Sequence, residues 1–590
     1  MSEVNEISEL KKPTALARQY SWLSGYSAGV FSEDLIAAII VTILLVPQAL
    51  AYALLAGLPP QAGIYASILP LAVYSLLGSS HQLSVGPTAV VSLMTAAAIA
   101  AIPEGQRLVS AAALAFMTGI FMLIFGFLKS GFIMNFVSRP VVSAYITGAG
   151  LLIIISQLRH IFGVEAGGQT ALALLRSLFG ALGEMKTVAL AVGGGSIIAL
   201  WSVKKYLAFG LHKLGVKPTV ARLIARIAPI FVVLLSIGLS IGLGLSERYG
   251  LRVVGDIPSG LPSFAFPELS LSAYEALLVP ALVIAIVAFV DSMTIAQTLA
   301  ARSRSRVDAD KELLGLGISN FFAGLTGGYP VNGSLSRSAV NFSAGARTPI
   351  AGVIAAVFMA VTALFLTPYL TQLPLATLAA LIIVACFSMM EFSNIWRTWV
   401  YSRTDGMTAV ATFLSVLLLG VQWGVLVGVV LAMALHIRAT LRPHMARVGR
   451  FPGTEHYRDA DRFNVETDPE VVTLRIDESL YYANARYLED KVARLVGEHK
   501  EMTDLILMCP AVNKIDASAL SSLHEINKRL LNANIRLHIS ELHSHVRERL
   551  HRSNFIEALS GQIFLSQHEA IEALRPEPDW SQFSDHIDIH

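Results

Sequence analysis

Through most of the chain apolar residues run on without the alternation of a half-buried strand or the one-sided stripe of a surface helix. Segments near 34–56, 64–79, 84–102, 109–129, 141–157, 187–203, 222–245, 276–300, 312–328, 334–345, 346–367, 374–392, 406–420 and 421–438 are apolar nearly throughout. Fourteen such segments predict an α-helical polytopic membrane protein, although several fall short of the roughly 20 residues a full helical span needs. The 84–102 and 334–345 segments differ from the rest, because each opens on helix breakers and polar residues; if one is only re-entrant, the count drops to twelve or thirteen. From about residue 467 the pattern becomes that of a soluble α/β domain. "EVVTLRIDESLYY", "TDLILMCPAV" and "IRLHIS" read as strands, while "ARYLEDKVARLVGEH", "DASALSSLHEINKRLLNAN" and "HSHVRERLHRSNFIEAL" read as amphipathic helices. Such alternation predicts a small sheet covered by helices. The divisions that follow are an N-terminal segment over 1–32, a membrane domain over 33–440, a polar linker over 441–466, the α/β domain over 467–575 and a tail over 576–590.

Composition agrees with the pattern. Of 590 residues, 54% are hydrophobic and only 15% charged, against roughly a quarter charged in soluble chains. The net charge of +2 gives no argument for nucleic acid, and the two cysteines, Cys386 and Cys509, show no metal spacing and read as buried thiols. No secretory signal peptide opens the chain, so the N-terminus is expected in the cytoplasm. Cations then test the count. After even-numbered segments come Lys129 and Arg139, then Lys204, Lys205, Lys213, Lys217, Arg222 and Arg226, then Arg302, Arg304, Arg306 and Lys311, then Arg397 and Arg403, and finally Arg438, Arg442, Arg447 and Arg450. Loops assigned outside carry fewer: Arg107, Arg176, Lys186, Arg248 and Arg252. This distribution predicts fourteen spans, both termini cytoplasmic, in an inner cell membrane.

The third and tenth segments match. "LSVGPTAVVS" and "VNGSLSRSAV" each run from a β-prone residue through glycine and small or hydroxyl residues into a helix. A pair of interrupted short segments at corresponding places in two halves points to a transporter's binding site. Seven segments separate them, so the second enters with opposite polarity and the two helix N-termini face one another. Facing N-termini, with their unpaired N–H groups and partial positive charge, make an anion site. Arg337 lies in the first turn of the tenth segment. A charge at membrane depth costs about 2.5–3.5 kcal/mol on insertion scales and is kept where it meets a partner. That partner is an anionic substrate, or Asp291 in a structural lock. Asp291, within "VAFVDSMTIAQ" of the eighth segment, is an intramembrane carboxylate and so a candidate carrier of a coupling ion. Glu33, beside Asp34 at the mouth of the first segment, is a second candidate, or a first-turn acid favoured by the helix dipole.

At these residues the chain resembles the SulP family of anion transporters, which includes plant and bacterial sulfate permeases, a cyanobacterial bicarbonate transporter and prestin. The likeness rests on "VPQALAYALLAGLPPQAGIYASILPLAVYSLLGSS" (46–80), "LSVGPTAVVSL" (83–93) and "KELLGLGISNFFAGLTGGYPVNGSLSRSAVNFSAGARTPIAG" (311–352). It implies two intertwined seven-span inverted repeats, forming a core and a gate domain, and no enzyme activity or cofactor. It places the substrate at Gln48, Tyr52, Thr88, Ala89, Leu335, Ser336 and Arg337. Gln48 can donate to an oxyanion or simply pack at the Pro47 break, and Tyr52 can bind or only line the wall. The implied activity is secondary active uptake of a small oxyanion, sulfate first, with bicarbonate or a dicarboxylate next and uncoupled exchange or channel conduction as the other class. A sodium site would want further oxygens near Asp291; Thr294 falls three residues on, but Leu335 stands where the sodium-using relative has a threonine, so coupling to protons is preferred over sodium, with a structural or exchange-only role for Asp291 as the other reading. A sensor in which the soluble tail does the work is the remaining reading. "NKIDASALSSL" (513–523) resembles the STAS domain; the resemblance implies a homodimer or a cytoplasmic partner. It also makes Ser518 a candidate regulatory phosphorylation site, whereas helix capping by Asp516 or Ser518 is the plainer role.

Overall fold

The computed structural model describes residues 26–132, 138–168 and 170–575. Most of the expected N-terminal segment, and the tail over 576–590, lie outside these residues. All fourteen predicted segments fall on helical elements, and among the described residues nine helices are long and apolar enough to cross a membrane. Helix α1 (Ala28–Leu55) carries Pro47 in its interior, and α2 (Pro60–Tyr65) follows with proline at its start. The two doubtful segments are half-helices. Strand β1 (Val85–Gly86) leads into α3 (Ala89–Ile99), with 11 residues; after α4 (Leu271–Ser303), strand β2 (Asn332–Gly333) leads into α5 (Leu335–Ser343), with 9. At 1.5 Å per residue these helices are about 16 and 14 Å long, half the hydrocarbon thickness.

The strands explain how irregular backbone survives there. β1 and β2 pair antiparallel, Val85 opposite Gly333 and Gly86 opposite Asn332. Flanking groups complete the satisfaction that burial demands. Ser334 N donates to Ser84 O at 3.0 Å, Ser84 N to Ser338 Oγ at 2.8 Å and Gly333 N to Ser292 Oγ at 2.8 Å. Asn320 clamps Val331, accepting from its N–H at 2.8 Å and donating to its carbonyl at 2.9 Å. Glycines bring the surrounding helices close: a Cβ on Gly119 would lie 2.4 Å from Phe321 N, and one on Gly324 2.7 Å from Ala112 O. Small residues permit such backbone approach between membrane helices.

Several elements depart from the expectation. The 222–245 segment is two helices, Pro218–Ile227 and Pro229–Gly242, because Pro229 cannot donate to the preceding turn. The 187–203 segment runs on as helix to Lys213. Helices Ala171–Ala181 and Phe392–Tyr401 occupy stretches outside the fourteen segments.

The chain divides into a unit ending at Ala432 and a C-terminal unit beginning at Met433. The C-terminal unit holds a six-stranded sheet in the order β4-β3-β5-β6-β7-β8. The strands are β3 (Met445–Arg450), β4 (Tyr457–Asp459), β5 (Val471–Ile476), β6 (Asp504–Met508), β7 (Arg536–Ser540) and β8 (Ile563–Phe564), of which β5 to β8 run parallel. The expected linker over 441–466 therefore needs correction, since β3 and β4 lie within it and β3 pairs antiparallel with β5. Arginine and glycine in "MARVGR" obscure a strand in which Met445, Ala446, Val448 and Gly449 are buried. Helices α6 (Ala485–Glu498) and α7 (Ala517–Asn532) fall where the sequence places them. Cys386 and Cys509 are buried free thiols.

Asp504 joins β6 to β7. It accepts from Arg536 Nε at 2.7 Å and Nη2 at 3.0 Å, and from Thr503 Oγ1 at 2.8 Å. His538 Nδ1 accepts from Gln562 N at 3.0 Å, so its proton is on Nε2, which donates to Asp504 at 2.9 Å. Burial alone raises the carboxyl, but the bonds from His538, Arg536 and Thr503 outweigh it and hold the group at about 2. A depressed carboxylate contributes stability that is fully present above its ordinary value near 3.8 and is lost as pH falls toward about 2. Asp504→Ala leaves His538 and Arg536 without their acceptor and is expected to cost roughly 3 kcal/mol. Thermal unfolding of the full-length protein checks this: the C-terminal transition falls by several degrees at neutral pH, and acidification narrows the gap to the parent.

Candidate anion site

Helix α5 starts at Ser334, whose Oγ accepts from Arg337 N at 3.5 Å. Arg337 is the third helical residue and has no exposed surface, the largest side chain so enclosed. Its Nη1 donates to Gln48 Oε1 at 3.1 Å and to Pro87 O at 2.9 Å, both neutral acceptors. Its Nε and Nη2 are buried and make no hydrogen bond among the described residues. The lock with Asp291 does not form; Asp291 Oδ2 instead accepts from Asn332 Nδ2 at 2.7 Å. A buried guanidinium with two unpartnered nitrogens, carrying three N–H groups, and no carboxylate bonded to it among the described residues has the chemistry to take an anion. Glycine at 86 makes room, since a Cβ there would lie 3.3 Å from Nη2.

Gln48 also lines a cavity of about 420 Å³ beside α1, whose wall includes Pro47, Tyr52, Lys204, Leu381 and Ser388. The site residues named from the sequence are thus partly gathered. Gln48, Arg337 and the start of α3 meet; Tyr52 is a cavity wall. Thr88 precedes α3 but does not cap it: its Oγ1 donates to Asn332 Oδ1 at 2.5 Å. Ala89 is buried in the apolar cluster with Ala49 and Tyr52. Leu335 and Ser336 have exposed side chains, and Ser336 Oγ lies 3.3 Å from Ser334 Oγ; as first-turn residues both carry backbone N–H groups that lack an intrahelical acceptor.

Glu33 pairs with Arg347, whose Nη2 donates to its Oε1 at 3.2 Å. The helix begins at Ala28, so Glu33 is not a first-turn acid. Asp34 beside it accepts from Arg347 N at 2.8 Å and Thr348 N at 3.2 Å, bracing the turn after α5. In the C-terminal unit Asp516 caps α7, accepting from Ala519 N at 2.8 Å, while Ser518 is exposed and makes no cap. The sequence reading missed Asn332, Ser292 and the Pro87 carbonyl. Asn332 gave no distinct signal, because an amide just before a breaker glycine reads as a turn.

Residues 31–412 match the sulfate permease family, and residues 462–570 match the STAS domain. The chain belongs to the sulfate permease family. Among sulfate permease relatives it is 33% identical over 574 residues to a probable sulfate transporter of Arabidopsis thaliana, covering 94% of this chain and 82% of that one. It is 33% identical over 563 residues to a probable sulfate transporter of Mycobacterium tuberculosis, covering 94% and 96%. Its fold is similar to that of the murine Solute Carrier 26 family member A9 anion transporter in the inward-facing state, with a TM-score of 0.85 at 25% identity over 95% and 94% of the two chains. It also resembles the transmembrane domain of a cyanobacterium bicarbonate transporter, with a TM-score of 0.58 at 22% identity over 69% and 98%, a likeness of fold alone. This sulfate permease family member is a multi-pass membrane protein whose work is anion transport, not catalysis.

Proposed function

We propose that the protein is a secondary active transporter that takes up sulfate together with protons, binding the anion between the N-termini of α3 and α5. The observation that carries this reading is the fully buried Arg337 with Nε and Nη2 unpartnered. Two opposed half-helix N-termini add neutral N–H donors, which suit an ion that must also leave. The names of the sulfate-transporting relatives support sulfate as substrate. Asp291 is the proton carrier in this reading. Its partner at 2.7 Å is an amide N–H, a donor and not a further oxygen ligand, which supports a proton over a sodium ion. The working form is a homodimer in the inner membrane with both termini in the cytoplasm, its STAS domain serving dimerisation or a cytoplasmic partner.

The test is uptake of labelled sulfate into liposomes holding the purified protein, with and without an inward proton gradient. Accumulation above equilibrium is expected only with the gradient. Asp291→Asn is expected to abolish that accumulation while leaving downhill sulfate exchange. Uptake of labelled bicarbonate or succinate in place of sulfate keeps the anion site and overturns the substrate.

A further inference from the structure

Asn332 sits between the two halves of the proposed site. Its Nδ2 donates to Asp291 Oδ2 at 2.7 Å, its Oδ1 accepts from Thr88 Oγ1 at 2.5 Å, and it has no exposed surface. Thr88 follows Pro87, whose carbonyl holds Arg337, and stands at the start of α3. One amide therefore joins the carboxylate on α4 to the threshold of the anion site. We infer that Asn332 is a positioning residue that converts the protonation of Asp291 into the direction of the Thr88 hydroxyl. The inference rests on the proton-coupled reading above.

Donors and acceptors set the direction of each bond. An ionised carboxylate only accepts, so it requires the amide's Nδ2 face, which leaves Oδ1 toward Thr88 and commits the threonine's proton to it. When Asp291 Oδ2 takes up a proton it becomes a donor. The amide then turns over so that Oδ1 accepts from Asp291 and Nδ2 faces Thr88. The Thr88 oxygen now accepts, and its own proton is released toward the anion between the helix N-termini. Protonation thus adds one donor to the anion site, and sulfate binds more tightly with a proton on board, as symport requires.

Few other groups can drive such a change. The small cavity beside Asp291 is lined by Val90, Val142, Ile286, Val425 and one titratable side chain, Tyr145, whose hydroxyl donates to Met94 Sδ at 3.2 Å. On α5, Arg337 is turned to Gln48 and Pro87. The helices packed on α4 or lining that cavity, Glu104–Phe127, Arg139–Phe162, Ala309–Leu325 and Val421–Leu441, carry their charges toward their ends: Glu104 and Arg107; Arg139, Arg159 and His160; Asp310, Lys311 and Glu312, the last held by Tyr74 and Ser79; and His436 and Arg438.

The test is equilibrium binding of labelled sulfate to the purified full-length protein at acidic and at alkaline pH. The parent is expected to bind about tenfold more weakly at alkaline pH, within the usual range of coupling between sites. Asn332→Leu frees the Thr88 hydroxyl permanently and is expected to bind at the parent's acidic affinity at both pH values. Thr88→Val removes the donor and is expected to bind at the parent's alkaline affinity at both. Thr88→Ser, which keeps the hydroxyl, restores the parent's profile and shows that the valine result is not misfolding. An Asn332→Leu protein that keeps the parent's pH dependence overturns the inference, because coupling then runs through space from the Asp291 charge. Equal loss of sulfate binding in both variants also overturns it, by making Asn332 a structural strut. A parent that binds sulfate without pH dependence overturns this inference and the proton-coupled reading together.

Discussion

Arg337→Ala is expected to abolish sulfate uptake, cutting the initial rate by at least about 100-fold. Each charge-assisted hydrogen bond to an anion contributes about 1.5–3 kcal/mol, and this side chain has two unpartnered nitrogens, each able to make one. Their combined loss, about 3–6 kcal/mol, corresponds to a factor on the order of 100 to 10,000 in binding. Arg337→Lys keeps the charge but presents a point ammonium in place of a planar fork, so it should recover only part of the rate. The rate of labelled sulfate entering liposomes decides it. The alanine protein should remain folded, because the side chain's present bonds go only to Gln48 and Pro87 O. Uptake within a few-fold of the parent sinks the anion site as drawn here.

The second large effect is on assembly. A Cβ at Gly63 would lie 1.9 Å from Ala49 O and 2.6 Å from Ala49 C, both backbone atoms of α1. No rotamer change relieves a clash with backbone. Overpacking ordinarily costs about 1–3 kcal/mol, and here α2 must move bodily away from α1. Gly63→Val is expected to yield no monodisperse protein in detergent. Gly105→Ala, where a Cβ meets nothing within 4 Å, should behave as the parent on the same column. Because Ala49 adjoins Gln48, a milder Gly63→Ala that still folds should transport poorly, through displacement of the glutamine that holds Arg337.

These two residues also show what could be read from the chain. Arg337 was legible because a cation among apolar residues has few reasons to exist, and Gln48 because the resemblance placed it. The half-helices were legible because breakers preceded segments too short to cross. The Asn332 relay was not, since an asparagine before glycine reads as an ordinary turn until the fold sets Asp291 and Thr88 on either side of it. Strands β3 and β4 were hidden for another reason: both are short, and the arginines, aspartate and glycine in "MARVGR" and "YRD" break the apolar run of a strand although most residues of both strands are buried. The break at Pro229 was missed because apolar content runs straight across it, although the helix does not.

The pairing of β1 with β2 bears on how the chain is made. Thr88 and Asn332 are 244 residues apart. A ribosome working at roughly 5–20 residues per second needs about 12 to 50 seconds to bridge that interval. Throughout it, the first half-helix has left the ribosome while the strand that completes its backbone bonding does not yet exist. Membrane insertion must therefore shelter a polar, unpaired turn until the second half arrives. Slowing synthesis between the two strands should expose the nascent chain to quality-control proteolysis well before any transport function could be lost.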